Sequence, residues 1–295
     1  MRRNSALGQY RGGRWIAGQN RHPKLVRDAA ARRANWLTSM IRRARGPCVW
    51  VPEYARMARV ERQGSLAMIR DVRNFTYRTR DDCTPGYYDA LYEIDAVQSV
   101  DLIVSRWTAE AIAHVFLSFG FLDGRYLAIS IETRRRRGQR YSPYAGFLPI
   151  YDLVYVVADE RDLLGVRTDV RRERVHLFRA DISQATAQAL FADYLRRIQE
   201  LGGQSEFYNT LFNNCTTNIL RHIKAVAPEI RFNWKVLLSG YADQYGYELG
   251  LLDRSLAFES LKAKSLVARA ADAEIDAGFS EAVRARLHSG GAAVG

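Results

Sequence analysis

Residues 112–133 read I-A-H-V-F-L-S-F-G-F-L-D-G-R-Y-L-A-I-S-I-E-T. Two almost wholly apolar runs of strand length flank a turn, the pattern of an antiparallel hairpin buried on both faces. Turn length decides which residues face each other. A two-residue Asp-Gly turn pairs His114 with Thr133 and sends Glu132 to the other face. A three-residue Leu122-Asp123-Gly124 loop, with Gly124 in the left-handed position of a bulged turn, pairs Phe121 with Arg125 and hence His114 with Glu132. The second register is preferred, because an ionisable ring inside an apolar strand needs a partner and Glu132 then supplies it.

Outward from the hairpin, β-rich runs occupy Ser65–Val72, Tyr87–Val97, Val100–Trp107, Tyr151–Ala158 and Arg174–Ala180. Asp159–Val166 reads as a short helix between the last two. Ser183 then caps a long amphipathic helix that Gly202-Gly203 stops after Leu201. A second helix is expected over about 215–226, followed by a short segment around Trp234–Leu238, an Ala-rich helical run through Ala271, and a final helix capped by Ser280. Strands first and helices after them predict an α+β domain, a mainly antiparallel sheet packed against helices. The predicted boundaries are a basic N-terminal extension over 1–48, the folded domain over 49–255 and a helical C-terminal tail over 256–295.

The formal net charge of +12 on 295 residues is concentrated at one end. Residues 1–50 hold twelve of the 44 lysines and arginines and a single acid, Asp28, while the rest of the chain is balanced, with 32 bases against 31 acids. The basicity therefore belongs to the extension, and no specific nucleic-acid groove is expected across the domain. Within the extension, Val26, Ala30, Leu37, Met40, Ile41 and Ala44 share one helical face bordered by Trp36 and arginines, which suits an anionic membrane surface. No 18 apolar residues run together and no apolar stretch of signal-peptide length opens the chain, so neither a transmembrane segment nor an export signal is expected. The three cysteines, Cys48, Cys83 and Cys215, are too few and too scattered for a disulfide framework or a zinc site, and no cofactor is predicted.

Cys215 is the candidate nucleophile. It sits in Y-N-T-L-F-N-N-C-T-T-N-I-L, residues 208–220, where Asn213, Asn214 and Thr216 favour a cap and Ile219, Leu220 and Ile223 recur at helical spacing. The sulfur is thus expected over the unpaired N–H groups of a helix start, which favour thiolate. Among the histidines, His222 lies seven residues further along the same helix, about 10 Å away along the axis, and cannot reach the sulfur. His22 and His288 lie in the terminal segments, and His176 in V-H-L-F-R reads as a structural strand residue. His114 is left, giving a Cys215, His114, Glu132 constellation. Backbone N–H groups at the helix start, with Tyr208, Asn214 and Thr216 as candidate orienting or oxyanion-binding residues, complete the predicted site. The arginine run Arg134–Arg137 with Arg140 could meet a phosphate or lie solvated.

The blocks V-R-N-F-T-Y-R-T, S-V-D-L-I-V-S-R-W, A-H-V-F-L-S-F-G-F-L-D-G-R-Y-L-A-I-S-I-E-T-R, L-V-Y-V-V-A-D-E-R-D, Y-N-T-L-F-N-N-C-T-T-N-I and L-L-S-G-Y-A resemble the Lnb N-terminal periplasmic domain family of bacterial proteins over about residues 50–255. That family in turn resembles permuted papain-like, NlpC-type cysteine enzymes. The resemblance implies that architecture, a nucleophile at Cys215, a base at His114, a third polar residue at Glu132, and acyl chemistry. It implies an acyl donor such as a phospholipid and an amine or water acceptor, hence an acyltransferase or a hydrolase. Family members commonly carry membrane helices or an export signal ahead of this domain; an Arg-rich segment stands there instead, so the expected location is membrane-associated or periplasmic, with the cytoplasmic face as the alternative. Two other classes compete: a peptidase or amidase of the cell envelope, and a non-catalytic protein that binds lipid or nucleic acid through its tail.

Overall fold

The computed structural model describes residues 49–107, 110–139, 151–202, 206–209, 213–230, 238–269 and 273–288. The chain divides into two compact units, Met1–Pro47 and Cys48–Gly295, and the described residues all belong to the second. The amphipathic helix expected over 26–44, Arg140, and the segment from Trp234 to Leu237 lie outside the described residues.

The predicted α+β class holds. The strands are β1 (Arg59–Gln63), β2 (Leu66–Arg73), β3 (Thr76–Tyr77), β4 (Cys83–Thr84), β5 (Tyr87–Glu93), β6 (Val97–Arg106), β7 (Ala113–Phe121), β8 (Tyr126–Arg134), β9 (Asp152–Asp159), β10 (Arg174–Arg179) and β11 (Glu206–Phe207). The main sheet runs β1-β2-β9-β8-β7-β6-β10, with β5 paired to β2 and β11 to β9. Among the described residues only the short β2–β9 contact is parallel, and every other strand pairing is antiparallel. β1 escaped the sequence reading because R-V-E-R-Q, with one buried residue, looks like loop until it is paired at an edge.

Side chains alternate between two cores. On one face Val115, Leu117, Phe119, Ile129 and Tyr155 pack against α2 (Gln184–Leu201) and α3 (Cys215–Val226). On the other, Phe116, Ala128, Val154 and Val156 meet Leu163 and Leu164, at and just beyond the end of α1 (Glu160–Leu163), together with Phe279 and Val283. Burial on both sides explains the near-continuous apolar runs of β7, β8 and β9. Helix α2 begins as read, with the Ser183 side chain accepting from the Thr186 N–H, and ends at Gly202 in the left-handed region at φ +49°.

The C-terminal part departs from the reading. Residues after 255 belong to the same compact unit as the sheet. The Ala-rich run is helical only as α5 (Phe258–Lys264), following α4 (Ala242–Glu248), and the end is two short turns, α6 (Phe279–Ala282) and α7 (Ala285–His288). Ser280 is not a cap; it lies inside α6, whose N-cap is Gly278. A buried charge fixes this segment: the Arg284 guanidinium bonds Asp101 at 2.7 Å and Glu160 at 2.6 Å, each of the three side chains at most 1 % exposed. An arginine in a sequence resembling an exposed tail gave no sign that it would be enclosed.

Candidate functional site

The hairpin register is the three-residue-loop alternative. Phe121 N–H donates to Arg125 O at 3.0 Å, Gly124 has φ +82°, and the ladder pairs Gly120 with Tyr126 through Leu117 with Ile129. That ladder then stops short of His114 and Glu132. In an antiparallel pair the backbone bonds alternate sides. Continuing from Phe121 and Phe119, the N–H of Val115 therefore points toward β8, where no ladder partner meets it. The N-terminus of α3 comes near it, and the Val115 N–H acts to lower the pKa of the Cys215 thiol.

Helix α3 starts at Cys215 with Asn214 as N-cap in a complete capping box: the Asn214 side chain accepts from Thr217 N–H at 2.8 Å, and Thr217 Oγ1 accepts from Asn214 N–H at 2.9 Å. Asn214 is the cap that its residue type favours, and its side-chain oxygen also accepts from the Thr216 hydroxyl at 2.9 Å. The Thr216 backbone N–H acts to lower the pKa of the thiol. Tyr208 lines the same cleft as Cys215 and His114, as its place in the predicted site requires.

His114 and Cys215 line the same cleft, and each shifts the titration of the other. The other face of the ring is held by a short relay. His114 Nε2 lies 2.6 Å from Ser130 Oγ, which donates to Glu132 Oε1 at 2.8 Å; the direct Nε2–Oε1 separation is 3.5 Å, so the hydroxyl is the shorter route. With Nε2–H engaged, Nδ1 is the nitrogen left for sulfur. Glu132 is fixed further by Tyr54 OH at 2.6 Å and Arg167 Nη2 at 3.1 Å. Ser130 was legible in principle, two residues from Glu132 on the same strand face. Tyr54 and Arg167, 78 and 35 residues from Glu132, carry no such signal.

The electrostatics follow from these contacts. Burial alone would push the Cys215 thiol up, but the hydrogen bond and charge of His114, with the N–H groups of Val115 and Thr216, hold it below the ordinary thiol value. Burial would likewise lower His114, yet the Cys215 and Glu132 bonds raise it above an ordinary imidazole against the opposing charge of Arg167. Glu132 is held well below the usual carboxylate range by His114 and Arg167 in spite of its burial. His222 and His176 are buried elsewhere in the domain. His222 bonds Asp193 at 2.7 Å and Tyr155 OH at 2.9 Å, and burial lowers it to about 4; His176, against Arg106, is lowered to about 3.

Cys215, His114 and Glu132 open onto a cleft of about 960 Å³. Among the described residues seven arginines and three glutamates line it. The Arg134–Arg137 run is divided: Arg134 is buried against Tyr54 O and over the Trp50 ring, Arg136 also lies over Trp50, and Arg135 faces the cleft. Among the described residues no group of three histidines, cysteines or acids is placed to hold a metal.

Comparison with known proteins gives one family. The model of the Lnb N-terminal periplasmic domain matches residues 84–243, a stretch that holds Cys215, His114, Ser130, Glu132 and Arg167 and stops short of Tyr54. No curated protein and no solved structure matches.

Proposed function

The chain belongs to the Lnb N-terminal periplasmic domain family, and from that premise we propose that it is a cysteine-nucleophile enzyme acting on an ester or amide through a thioester. The observation that carries this reading is Cys215 at a helix start in one cleft with His114, the imidazole being oriented from behind by Ser130 and Glu132. A lowered thiol beside a raised imidazole is the charge arrangement that nucleophilic cysteine chemistry needs.

In the proposed cycle the Cys215 thiolate attacks the carbonyl carbon, and the oxygen's developing charge is met by backbone N–H groups at the head of α3. His114, protonated and held by the relay, gives its proton to the leaving alcohol or amine as the tetrahedral intermediate collapses to the thioester. It then takes a proton from the acceptor, which attacks the thioester and frees the thiol. An amine acceptor makes the enzyme a transferase and water makes it a hydrolase. The permuted papain-like, NlpC-type architecture belongs to the same proposal: a strand histidine preceding a helix-start cysteine, with a polar third residue, supports it.

The family's description supports a bacterial, periplasmic setting, and we extend that setting to this chain. Among the described residues no helix is long and apolar enough to cross a membrane. Association with anionic lipid is assigned to residues 1–50. The test is labelling with an activated acyl ester followed by peptide mass spectrometry: a thioester on Cys215 that is lost in His114→Ala supports the reading. Equal acylation of Cys83, or full turnover by Cys215→Ser, overturns it.

A further inference from the structure

The proposed chemistry uses one wall of the cleft and leaves its charge unexplained. The three glutamates are each committed to several partners. Glu132 serves His114, Ser130, Tyr54 and Arg167; Glu173 accepts from Ser105 at 2.5 Å and also faces Arg167 and Arg171; Glu110 is shared by Arg106, Arg174 and Lys262. Positive charge therefore remains in excess where a substrate would lie. Arg80 and Arg135 have no carboxylate partner among the described residues: Arg80 donates to the backbone oxygen of Arg171 at 3.0 Å, and Arg135 lies over the Tyr54 ring, 5.8 Å from its centroid. Arg171, its side chain 34 % exposed, has only the shared Glu173 at 3.8 Å.

The backbone presenting these groups is unusual. After α1 the chain makes a π turn, Val166–Val170, and Arg172 follows in the left-handed region at φ +54°. π turns concentrate at functional sites, and a non-glycine residue at positive φ costs of order 1 kcal/mol or more. In this stretch Arg167 turns inward to Glu132, while Arg171 and Arg172 line the cleft. Guanidinium forks match the paired oxygens of phosphate and carboxylate better than any neutral group does.

We propose that Arg80, Arg135 and Arg171 form an anion subsite in this cleft that takes an oxyanion, phosphate or carboxylate, carried by the substrate and so sets its carbonyl at Cys215. The proposal rests on the thiol reading for what the subsite is for, but its existence is measurable without turnover. On the full chain, modification of Cys215 is timed by peptide mass spectrometry with the anionic sulfonatoethyl and the cationic trimethylammonioethyl methanethiosulfonates, each rate divided by that of N-acetylcysteine. The anionic reagent should be favoured by about tenfold or more, and 1 M NaCl should erase most of that preference. The triple variant Arg80→Gln/Arg135→Gln/Arg171→Gln should bring the ratio near one, and each single variant should move it part of the way, which keeps the test available if the triple variant folds poorly. In parallel, calorimetry on the Cys215→Ser chain should show binding of glycerol 3-phosphate or of succinate, abolished by the arginine changes. Binding of the first alone assigns phosphate, and of the second alone carboxylate. A charge ratio unmoved by any of these substitutions, or no binding of either anion, overturns the subsite. Full turnover by Cys215→Ser overturns the proposed chemistry and leaves both of these measurements standing.

Discussion

At Cys215 and His114 two opposed shifts meet: the thiol is lowered and the imidazole raised, both against burial. The sign fixes a window. Below the lowered thiol pKa the sulfur is protonated, and above the raised imidazole pKa the ring has lost its proton, so the thiolate–imidazolium pair exists between them. Alkylation of Cys215 by iodoacetamide should therefore already proceed at mildly acidic pH, below the range of a free thiol near about 8.5. Cys83, which burial pushes up, should not react there. Glu132→Gln removes a hydrogen bond and a charge that raise His114, so the alkaline limb of acyl transfer should move to lower pH and the rate fall by about tenfold or more. Ser130→Ala should lower the rate to a similar degree with little change in melting temperature; a full rate would mean that the direct 3.5 Å contact to Glu132 orients the ring alone.

The elements that hold these residues are a hairpin and a helix cap. Gly124 adopts φ +82° and has open space on the side where a Cβ would stand, so a side chain there is strained by backbone conformation rather than by collision. Gly124→Val should cost about 1–3 kcal/mol in chemical denaturation, and Gly124→Asn clearly less, because asparagine tolerates the left-handed region. Equal costs for the two would show that the loop does not demand positive φ. At the cap, Asn214→Ala loses the acceptor for Thr217 N–H and should destabilise by about 0.5–2 kcal/mol. Asn214→Asp should keep the cap but place a negative charge beside the sulfur, shifting the alkylation profile of Cys215 to higher pH.

For the whole molecule, the sheet is closed on its second face by the C-terminal segment, and Arg284 is the fastening. Arg284→Met leaves the buried Glu160 without a cation and Asp101 with Arg179 alone, and should cost about 3–5 kcal/mol of folding stability. Arg284→Lys should recover only part of this, since one ammonium cannot reproduce the fork that reaches both acids. Deleting residues 1–46 removes one compact unit and should leave the melting temperature of the other within about 2 °C while weakening attachment to anionic vesicles. A large loss of stability in that truncation would show that the domain begins earlier than residue 48.

The long strands of the sheet from β5 to β10, helix α2, the hairpin register and the helix start at Cys215 were legible in the sequence, because each rests on local chemistry: period, turn length and capping residues. His114 was singled out for the same reason, as an ionisable ring in an apolar strand. What only the tertiary structure decided are the contacts between segments far apart in the chain. Tyr54 and Arg167 come to Glu132, and Arg284 comes to Asp101 and Glu160, across separations that no periodicity encodes. The same holds for the end of the β7–β8 ladder at Leu117 and Ile129, beyond which the Val115 N–H acts on a sulfur that belongs to a helix about a hundred residues further along the chain.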